Sequence, residues 1–426
     1  MLDMLKEKLS GLGVYGWELT ETRTRGWEFY FIGHRLDQNR AKDIVDYRAK
    51  VFVATEGGKY LGAASALISP TASEADVDRI LADIKFQAGL MKDPAYTLTS
   101  LPVTVPEKRE RVDVEAIAES FIAALASLPE TETEYINSYE IFVNELTRHT
   151  LNSNGVEYTC IFPSSMAEVV VNARAGDHEI ELYRAFRSGT CDGENLRSEL
   201  ARALQFGRDR LIAQPTPILD KPDVVLSTDD AVEIYSYFLD KTFARFKLMG
   251  MTDWEAGKPI CPEFKGDRIS VRALSSLRNS DRDFPVDAEG SVIEERDLIK
   301  DGVVQCFWGS RQFASYLGLE KSSAVPNVRY YGGTKSAEEL RQGDFLELVE
   351  FSDFQVDPMG GTVAGEIRLG YLHQGGRVTV VTGGSLSGSL TEAIPTMEFS
   401  KEEKQYNNNV IPAVTRLKGL TVTGIK

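Results

Sequence analysis

Five glycine-bearing turn signals divide the second half of the chain into short segments. They are Asp301-Gly302, Gly332-Gly333, Gly360-Gly361, Gly375-Gly376 and Gly383-Gly384. Glycine adopts the positive φ angles of tight turns without steric penalty, so each pair favours a chain reversal. The segments between these pairs are mostly short strand patterns, interrupted by brief helical patterns at 310–317 and 336–340. The C-terminal half is therefore predicted to be dominated by antiparallel sheet.

The first half combines strand patterns with amphipathic helices. Apolar residues recur every three or four positions near the N-terminus and in residues 71–91, 113–128 and 194–213, which predicts four helices. Alternating residues predict strands before the second helix and again in residues 135–186. The class is therefore α+β: an N-terminal mixed sheet with helices, followed by the β-rich half.

The chain is longer than one hydrophobic core usually supports, so two domains are expected. It has 426 residues, and the stretch "AQPTPILDKP" at 213–222 contains three prolines without a helical pattern. We place the boundary there, with an N-terminal domain over residues 1–216 and a C-terminal domain over residues 217–426.

Charge and composition exclude several classes of partner. The formal net charge is −16, which disfavours binding to nucleic acid or to anionic membranes. No segment has the continuous apolar length of a membrane span or of a secretion signal. The four cysteines are widely spaced without a Cys-x-x-Cys pair, which indicates reduced thiols. We therefore expect a cytoplasmic protein.

No local motif for catalysis is present, so the sequence predicts no catalytic residue. The four histidines are isolated from one another, whereas a zinc site needs three or four converging ligands. The stretch "GGSLSGSL" at 383–390 contains serines but lacks the Gly-x-Ser-x-Gly order of a nucleophile elbow.

An acidic stretch at 279–304 contains Asp281, Asp283, Asp287 and Glu289. Carboxylates at these short steps could hold a divalent ion or act as an acid/base pair, which would make the chain an independent metal-dependent hydrolase. The alternative is a solvated turn before a strand. We retain Asp287, Glu289 and Gly290, together with Gly360 and Gly361, as candidate cavity or turn residues.

Two long alternating segments, residues 344–357 and 362–373, could offer a sheet edge to an extended peptide through main-chain hydrogen bonds. The alternative is that the two strands pair with each other.

The helical pattern beginning near Ala231 follows a short apolar strand and a polar cluster. Ala231, Ile234, Tyr235 and Phe238 share one face and are predicted to pack inward. Glu233, Ser236, Tyr237, Asp240 and Lys241 are predicted to point away from that face.

Several stretches, in this order, resemble the TldD/PmbA family of peptidase-related proteins. They are "NSNG" at 152–155, "ALQFGRDRLIAQ" at 203–214, "DVVLSTDDAVEIYSYFLDK" at 223–241, "VDAEGSVIEERDLIKDGVV" at 286–304, "GGTVAGEIRLGYLHQGGRVTVVTGGSLSGSL" at 360–390 and "IPAVTRLKGLTVTG" at 411–424. In TldD-type members the helix after the first strand carries His-Glu-x-x-x-His, which holds a catalytic metal with a cysteine near the C-terminal strand.

The resemblance places these metal-site positions at Ser236, Tyr237 and Lys241 of this chain. A serine, a tyrosine and a lysine are not the ligands and base that a zinc site needs, and the tail "FSKEEKQYNNNV" at 399–410 has no cysteine. The chain therefore resembles the PmbA (TldE) type, which has no metal site or cofactor of its own.

The resemblance implies a peptidase complex that acts on unfolded or short peptides. The zinc-type metal and the hydrolysis would belong to a TldD-like partner subunit. Self-association, as a homodimer or a larger peptide-binding oligomer, is the alternative. Some relatives are labelled modulators of DNA gyrase, but the net charge of −16 gives no support for DNA contact.

Overall fold

The structure is a computed structural model that describes residues 1–100, 103, 105–319 and 323–425. Its α-helices are α1 (Leu2–Gly11), α2 (Glu74–Leu90), α3 (Val114–Ala126), α4 (Gly193–Ile212), α5 (Ala231–Lys241), α6 (Ala244–Leu248), α7 (Arg311–Tyr316) and α8 (Leu390–Ala393). Short 3-10 turns lie at Glu56–Gly58, Glu339–Arg341 and Ile394–Thr396. Among the described residues, no helix combines the length and apolar composition needed to cross a membrane.

The N-terminal half contains one six-stranded sheet. Its strands are β1 (Gly16–Ile32), β2 (Arg35–Thr55), β3 (Tyr60–Ile68), β4 (Glu134–Asn152), β5 (Glu157–Ala175) and β6 (His178–Ser188). The spatial order is β3-β2-β1-β4-β5-β6, and every pairing is antiparallel. Tight turns join most neighbours, and such turns can connect only antiparallel strands.

Four helices pack against this sheet, at the places that the apolar periodicity predicted. In α2, for example, Ser73 accepts a hydrogen bond from the backbone of Asp76 and so begins the helix. The side chains of Val77, Leu81 and Ile84 are buried in a cluster with α1 and strands β1 and β2. Helices α3 and α4 form a second cluster with β4 and β5.

The C-terminal half contains two further sheets. Their strands are β7 (Gln214–Pro215), β8 (Val224–Leu226), β9 (Ser270–Leu274), β10 (Arg296–Lys300), β11 (Val303–Val304), β12 (Asn327–Tyr331), β13 (Phe345–Val356), β14 (Thr362–Gln374), β15 (Arg377–Thr382), β16 (Ser385–Ser389), β17 (Glu398–Phe399), β18 (Glu403–Tyr406), β19 (Asn409–Pro412), β20 (Thr415–Leu417) and β21 (Thr421–Thr423). One sheet has the order β11-β10-β9-β12-β19-β18. The nine-stranded sheet runs β17-β20-β8-β13-β14-β15-β7; β16 also pairs with β14, and β21 pairs with β16.

The α+β class is confirmed, as is the predominance of antiparallel pairing in the C-terminal half. Parallel pairs occur there only between β8 and β13, β7 and β15, and β12 and β19 among the described strands. Strand β7 lies before the predicted boundary but pairs with the nine-stranded sheet. The boundary between residues 216 and 217 stays a prediction.

The largest buried cluster surrounds α5, between the two C-terminal sheets. The four residues predicted to pack inward, Ala231, Ile234, Tyr235 and Phe238, are all buried in it. The cluster around α3 and α4 also includes Val349 and Leu369 of the nine-stranded sheet. The two halves of the chain therefore share apolar contacts, and a cleft opens beside them.

Candidate functional site

A cleft with a volume of about 950 Å³ lies between the last strand of the first sheet and the hairpin of β18 and β19. One wall is the end of β6, from Arg184 to Ser188, with the beginning of α4. The opposite wall is residues 403–409, and residues 278–282 and the start of α5 complete the lining. This volume is within the range of pockets that hold small ligands or short peptide segments.

Both walls are sheet edges. Strand β6 is the terminal strand of the first sheet, and β18 is the terminal strand of its own sheet. In the described part of the chain, neither strand has a strand partner on its outer side. An unpaired edge presents backbone N–H and C=O groups that can pair with an extended peptide.

The segment 278–282 ties the two walls together. On one side, the backbone N–H of Gly189 donates to the carbonyl of Asn279 at 2.9 Å, and the backbone N–H of Thr190 donates to the Asn279 side chain at 2.7 Å. On the other side, the Asn407 amide donates to Asp281 at 2.8 Å and accepts from the Asp281 backbone at 3.1 Å. Hydrogen bonds from the segment 278–282 to both walls thus hold the cleft open.

Asn407 occupies the tip of the β18–β19 hairpin with a φ of 50°. Asparagine tolerates this left-handed conformation better than most residues with a side chain, which suits it to the turn. The run Asn407–Asn409 lies on the cleft wall. The three consecutive asparagines, which favour a turn, were the available sequence signal for this wall, and sequence reasoning missed it.

The cleft has no activated nucleophile among its lining residues. Burial raises the pKa of the Cys191 thiol to about 11, so the thiol stays protonated at neutral pH. Burial, with the nearby charge of Asp229, raises the pKa of Asp230 to about 7, in the range of a general acid or base. Asp230 does not line the cleft, however. The arrangement favours binding over acid/base chemistry.

The structure corrects the prediction for the second face of α5. Tyr237 is 2% exposed and Lys241 is 5% exposed, so both are buried rather than directed away from the core. The Lys241 ammonium donates to the carbonyls of Met359 at 2.7 Å and Met251 at 3.2 Å. The periodicity showed only one apolar face, whereas these two loops cover the other face as well.

The three positions that the family resemblance assigns to a metal site do not fit a metal. Lys241 is a donor engaged with two carbonyls, and burial lowers its pKa against the opposing charges of Asp253 and Asp357. Tyr237 packs edge-on against Trp254, and burial raises its pKa, which keeps the phenol neutral. Ser236 is partly buried one turn after Val232. No step through a metal is derived for these residues.

Gly361 lies beside this buried face, which places it near Tyr237. Its φ is +73°, and a Cβ added there would lie 3.3 Å from the Tyr237 ring. Gly360 donates its backbone N–H to the Asp357 carboxylate in the same turn. These two glycines therefore form the turn that brings the Met359 carbonyl to Lys241.

Replacing Lys241 with methionine is expected to lower the free energy of unfolding by about 2 kcal/mol. The substitution keeps most of the side-chain volume but leaves two carbonyls without their donor, and an unsatisfied buried group costs about 1–3 kcal/mol. Urea-induced unfolding measures the change. Lys300→Met is the matched control, because Lys300 is exposed; equal losses in the two variants would contradict the assignment.

The four acidic residues do not converge. Asp281 binds Asn407, while Asp283 pairs with Lys108 at 3.0 Å. Glu289 accepts from the backbone of Arg311 at 2.7 Å. Across residues 1–100, 103, 105–319 and 323–425, no group of three or more His, Cys, Asp or Glu side chains could hold a metal ion. The geometry gives no support to the metal-site alternative.

The solvated-turn alternative is also wrong for Asp287, which is 6% exposed. Its carboxylate accepts from the backbones of Glu289, Ser291 and Ala324 at 2.9–3.0 Å. Gly290 follows with a φ of +81°, and a Cβ there would lie 2.6 Å from Val156. The turn at Gly290 therefore docks against the turn that joins β4 and β5 of the first sheet, and neither it nor the turn at Gly360 and Gly361 lines the cleft.

The two strands considered for peptide capture pair with each other. Strand β13 pairs antiparallel with β14 along most of its length. Strand β8 lies on the other side of β13, and β15 and β16 lie beside β14. Both are interior strands, so the free edges at the cleft belong to β6 and β18 instead.

Similarity to known proteins agrees with this architecture. Residues 224–424 match the PmbA/TldA metallopeptidase C-terminal domain. A metalloprotease of Archaeoglobus fulgidus is 30% identical over 135 residues, which are 28% of this chain and 31% of that protein. The match thus spans about a third of the curated relative.

Three solved structures share the whole fold. TldE from Thermococcus kodakarensis has a TM-score of 0.77 at 16% identity, and the match covers 99% of this chain and 100% of the TldE chain. A Thermotoga maritima protein named as a modulator of DNA gyrase has a TM-score of 0.75 at 14% identity, with coverage of 99% and 100%. A protein of the same description from Bacteroides thetaiotaomicron has a TM-score of 0.78 at 13% identity, with coverage of 100% and 99%.

The matched C-terminal domain begins at β8 and includes α5, both C-terminal sheets and the hairpin wall of the cleft. The sequence resemblance noted above is therefore confirmed: the C-terminal half of this chain, residues 224–424, is a metallopeptidase-related domain of the TldD/PmbA family.

Proposed function

We propose that this chain is a non-catalytic subunit of the PmbA/TldE type, which holds an unfolded or short peptide for a metal-bearing, TldD-like partner in the cytoplasm. The observation that carries the proposal is the cleft between two terminal strands, β6 and β18. An extended peptide placed there can add main-chain hydrogen bonds to either edge.

The second support is the chemistry of α5. At the positions where the family resemblance expects metal ligands, Tyr237 and Lys241 are buried and engaged in packing and hydrogen bonds. These contacts stabilise the helix and occupy the space that ligands would need. The role of α5 is then to support the cleft, to which it contributes Val232, with Asp229 just before the helix.

Peptide binding is tested with a fluorescently labelled unstructured peptide and the purified chain. We expect saturable binding, and we expect Ala185→Trp to weaken it at least about tenfold, because Ala185 lines the β6 wall and an indole there would fill the cleft. Ala185→Ser is the matched control at the same position and should bind normally. Absence of binding to the unaltered chain would refute the binding role.

The subunit role is tested by zinc analysis and co-purification from the native host. The chain alone is expected to hold no stoichiometric zinc and to leave the peptide intact, while cleavage appears when a partner bearing His-Glu-x-x-x-His is added. Zinc with chelator-sensitive cleavage by the chain alone would show an independent hydrolase. Symmetric self-association without such a partner would favour the homo-oligomeric alternative.

A further inference from the structure

The charges on the cleft wall differ from those of the chain as a whole. The basic lining residues are Arg184, Arg187, Arg278, Arg282 and Lys404, and the acidic ones are Asp192, Glu199, Asp229 and Glu403. The chain carries a formal net charge of −16, so a basic majority in this cleft is a local inversion. The partners of these nine side chains decide what charge the cleft presents.

Three of the acidic side chains are already engaged. Glu199 pairs with Lys404 and with Arg202, the latter at 3.0 Å. Glu403 pairs with Arg329 at 3.0 Å, outside the lining set. Asp192 accepts from the backbone of Asn195 at 3.1 Å and caps α4. Only Asp229 has no ion pair or side-chain hydrogen bond within the described residues.

The basic side chains are less fully used. Arg184 pairs with Glu350, and Lys404 pairs with Glu199. Arg187 and Arg278 are exposed, and their side chains have no ion pair or hydrogen bond with any residue that the structure describes. Arg282 is exposed too, and its ion contact to Asp281, the one it makes among the described residues, is long at 3.9 Å. Three guanidinium groups are therefore available to a ligand.

These arginines occupy the frame that joins the two walls. Arg187 precedes Gly189 by two residues, and Gly189 donates to Asn279, the neighbour of Arg278. Arg282 follows Asp281, which is bound to the hairpin tip at Asn407. The arginines thus line the segment that an extended peptide would follow between β6 and β18. Guanidinium groups bind carboxylates through paired, charge-assisted hydrogen bonds.

We propose that the cleft selects extended peptides with acidic side chains, whose carboxylates bind Arg187, Arg278 and Arg282. This inference rests on the proposed function and deepens it by naming the substrate class. Along an extended strand, alternate side chains share a face, so acidic residues at every second position can meet these arginines while the backbone pairs with a sheet edge. Because the net charge of the chain repels such a peptide, the attraction is confined to the cleft.

The test compares two labelled peptides of equal length, one with glutamate at alternate positions and one with glutamine there. We expect the acidic peptide to bind about tenfold more tightly to the unaltered chain. In the triple variant Arg187→Gln, Arg278→Gln and Arg282→Gln, the acidic peptide should lose about tenfold while the neutral peptide changes less than about twofold. Circular dichroism checks that the variant is folded.

The matched control is a second triple variant with the same change in net charge, made at exposed arginines outside the cleft lining. It combines Arg35→Gln, Arg79→Gln and Arg377→Gln and should retain the preference. Equal affinity of the unaltered chain for both peptides would overturn the inference and leave the proposed function intact. An equal loss of affinity for the acidic peptide in the two triple variants would also overturn the inference and leave the proposed function intact. Binding of neither peptide would refute the proposed function itself.

A C-terminally amidated acidic peptide separates the two sources of carboxylate. Unchanged affinity after amidation supports recognition of acidic side chains. A loss of about tenfold on amidation, with no effect of glutamate-to-glutamine exchange, would assign the arginines to the peptide terminus and overturn the side-chain proposal.

Discussion

Replacing Asp287 with alanine is expected to lower the free energy of unfolding by about 3 kcal/mol or more. The buried carboxylate accepts three backbone N–H groups, from Glu289, Ser291 and Ala324. Each buried donor left without an acceptor costs about 1–3 kcal/mol. Because Ala324 belongs to a different segment from the other two, the substitution also releases the link between two loops.

The size of the effect is read by urea-induced unfolding, and amide hydrogen exchange of residues 287–291 locates it. Asp287→Asn should lie between alanine and the unaltered chain, since one oxygen still accepts while the amide nitrogen faces a donor. Asp283→Ala is the control: its ion pair with Lys108 is partly exposed and should contribute less than about 1 kcal/mol. Similar losses for Asp287→Ala and Asp283→Ala would contradict the role of Asp287.

The surroundings of Asp287 in the structure differ from those that the acidic stretch predicted. From sequence, carboxylates at two- and four-residue steps indicate either a metal loop or a solvated turn, because both place oxygen atoms close together. The structure uses the carboxylate as an acceptor for backbone groups of a docked turn. That use depends on Ala324, which is 37 positions away. A local window does not contain the donor.

Helices whose contacts are local were predicted well. The apolar stripes of α2 and of the inward face of α5 follow directly from spacing of three and four residues, because one repeat decides one buried face. The second face of α5 was missed because Met359, which accepts from Lys241, is 118 positions away in the sequence. Lysine is predicted to be exposed unless its acceptors are known.

The cleft could not be predicted from strand patterns. Alternation identified the strands near β6 and in the C-terminal half, but it does not tell which strand ends a sheet. Lys404 and Glu199, which pair across the cleft, are 205 positions apart. The sequence therefore directs peptide capture to β13 and β14, two long alternating segments, whereas both are interior strands with neighbours on both sides. A long alternating strand is easy to recognise in the sequence, but it can also pair along its length on both sides and so lie inside a sheet.

The cleft and the turn at Asp287 depend on different parts of the C-terminal half. The hairpin at Asn407 and the segment 278–282 shape the cleft, whereas residues 287–291 fix that same stretch of chain against the first sheet. The segment 278–282 and the turn at 287–291 are joined by fewer than ten residues of backbone. Loosening the turn should therefore weaken peptide binding as well as stability, although no residue of the turn lines the cleft.

Replacing Glu18 with glutamine is expected to make the chain more stable at pH 8 but not at pH 4.5. Burial is the main cause that raises the pKa of Glu18 to about 7, and the charges of Glu289 and Asp287 raise it further, against the attraction of Lys50. Since the ordinary value is 4.5, the folded chain binds this proton more tightly than the unfolded chain does. The Glu18 carboxyl therefore destabilises the folded chain most at pH values where it is ionised.

The sign follows from this order of pKa values. Below pH 4.5 the carboxyl is protonated in both states, so it has no pH-dependent effect; between 4.5 and about 7 the unfolded state ionises first, and stability falls as pH rises. Above about 7 the loss is complete, and the two pKa values correspond to about 3 kcal/mol. Glu18→Gln removes this loss, so its advantage should grow to about that size by pH 8.

Urea unfolding of both proteins from pH 4.5 to pH 8 measures the difference. Asp230, whose pKa is also raised to about 7 by burial, is present in both proteins, so its contribution cancels. Lys50→Gln is the informative control, because Lys50 lies 3.4 Å from Glu18 and its charge lowers the pKa of that carboxyl. Without that charge, the loss of stability should become larger and extend to higher pH. A constant difference between Glu18→Gln and the unaltered chain across this range would show that burial does not raise the pKa of this carboxyl.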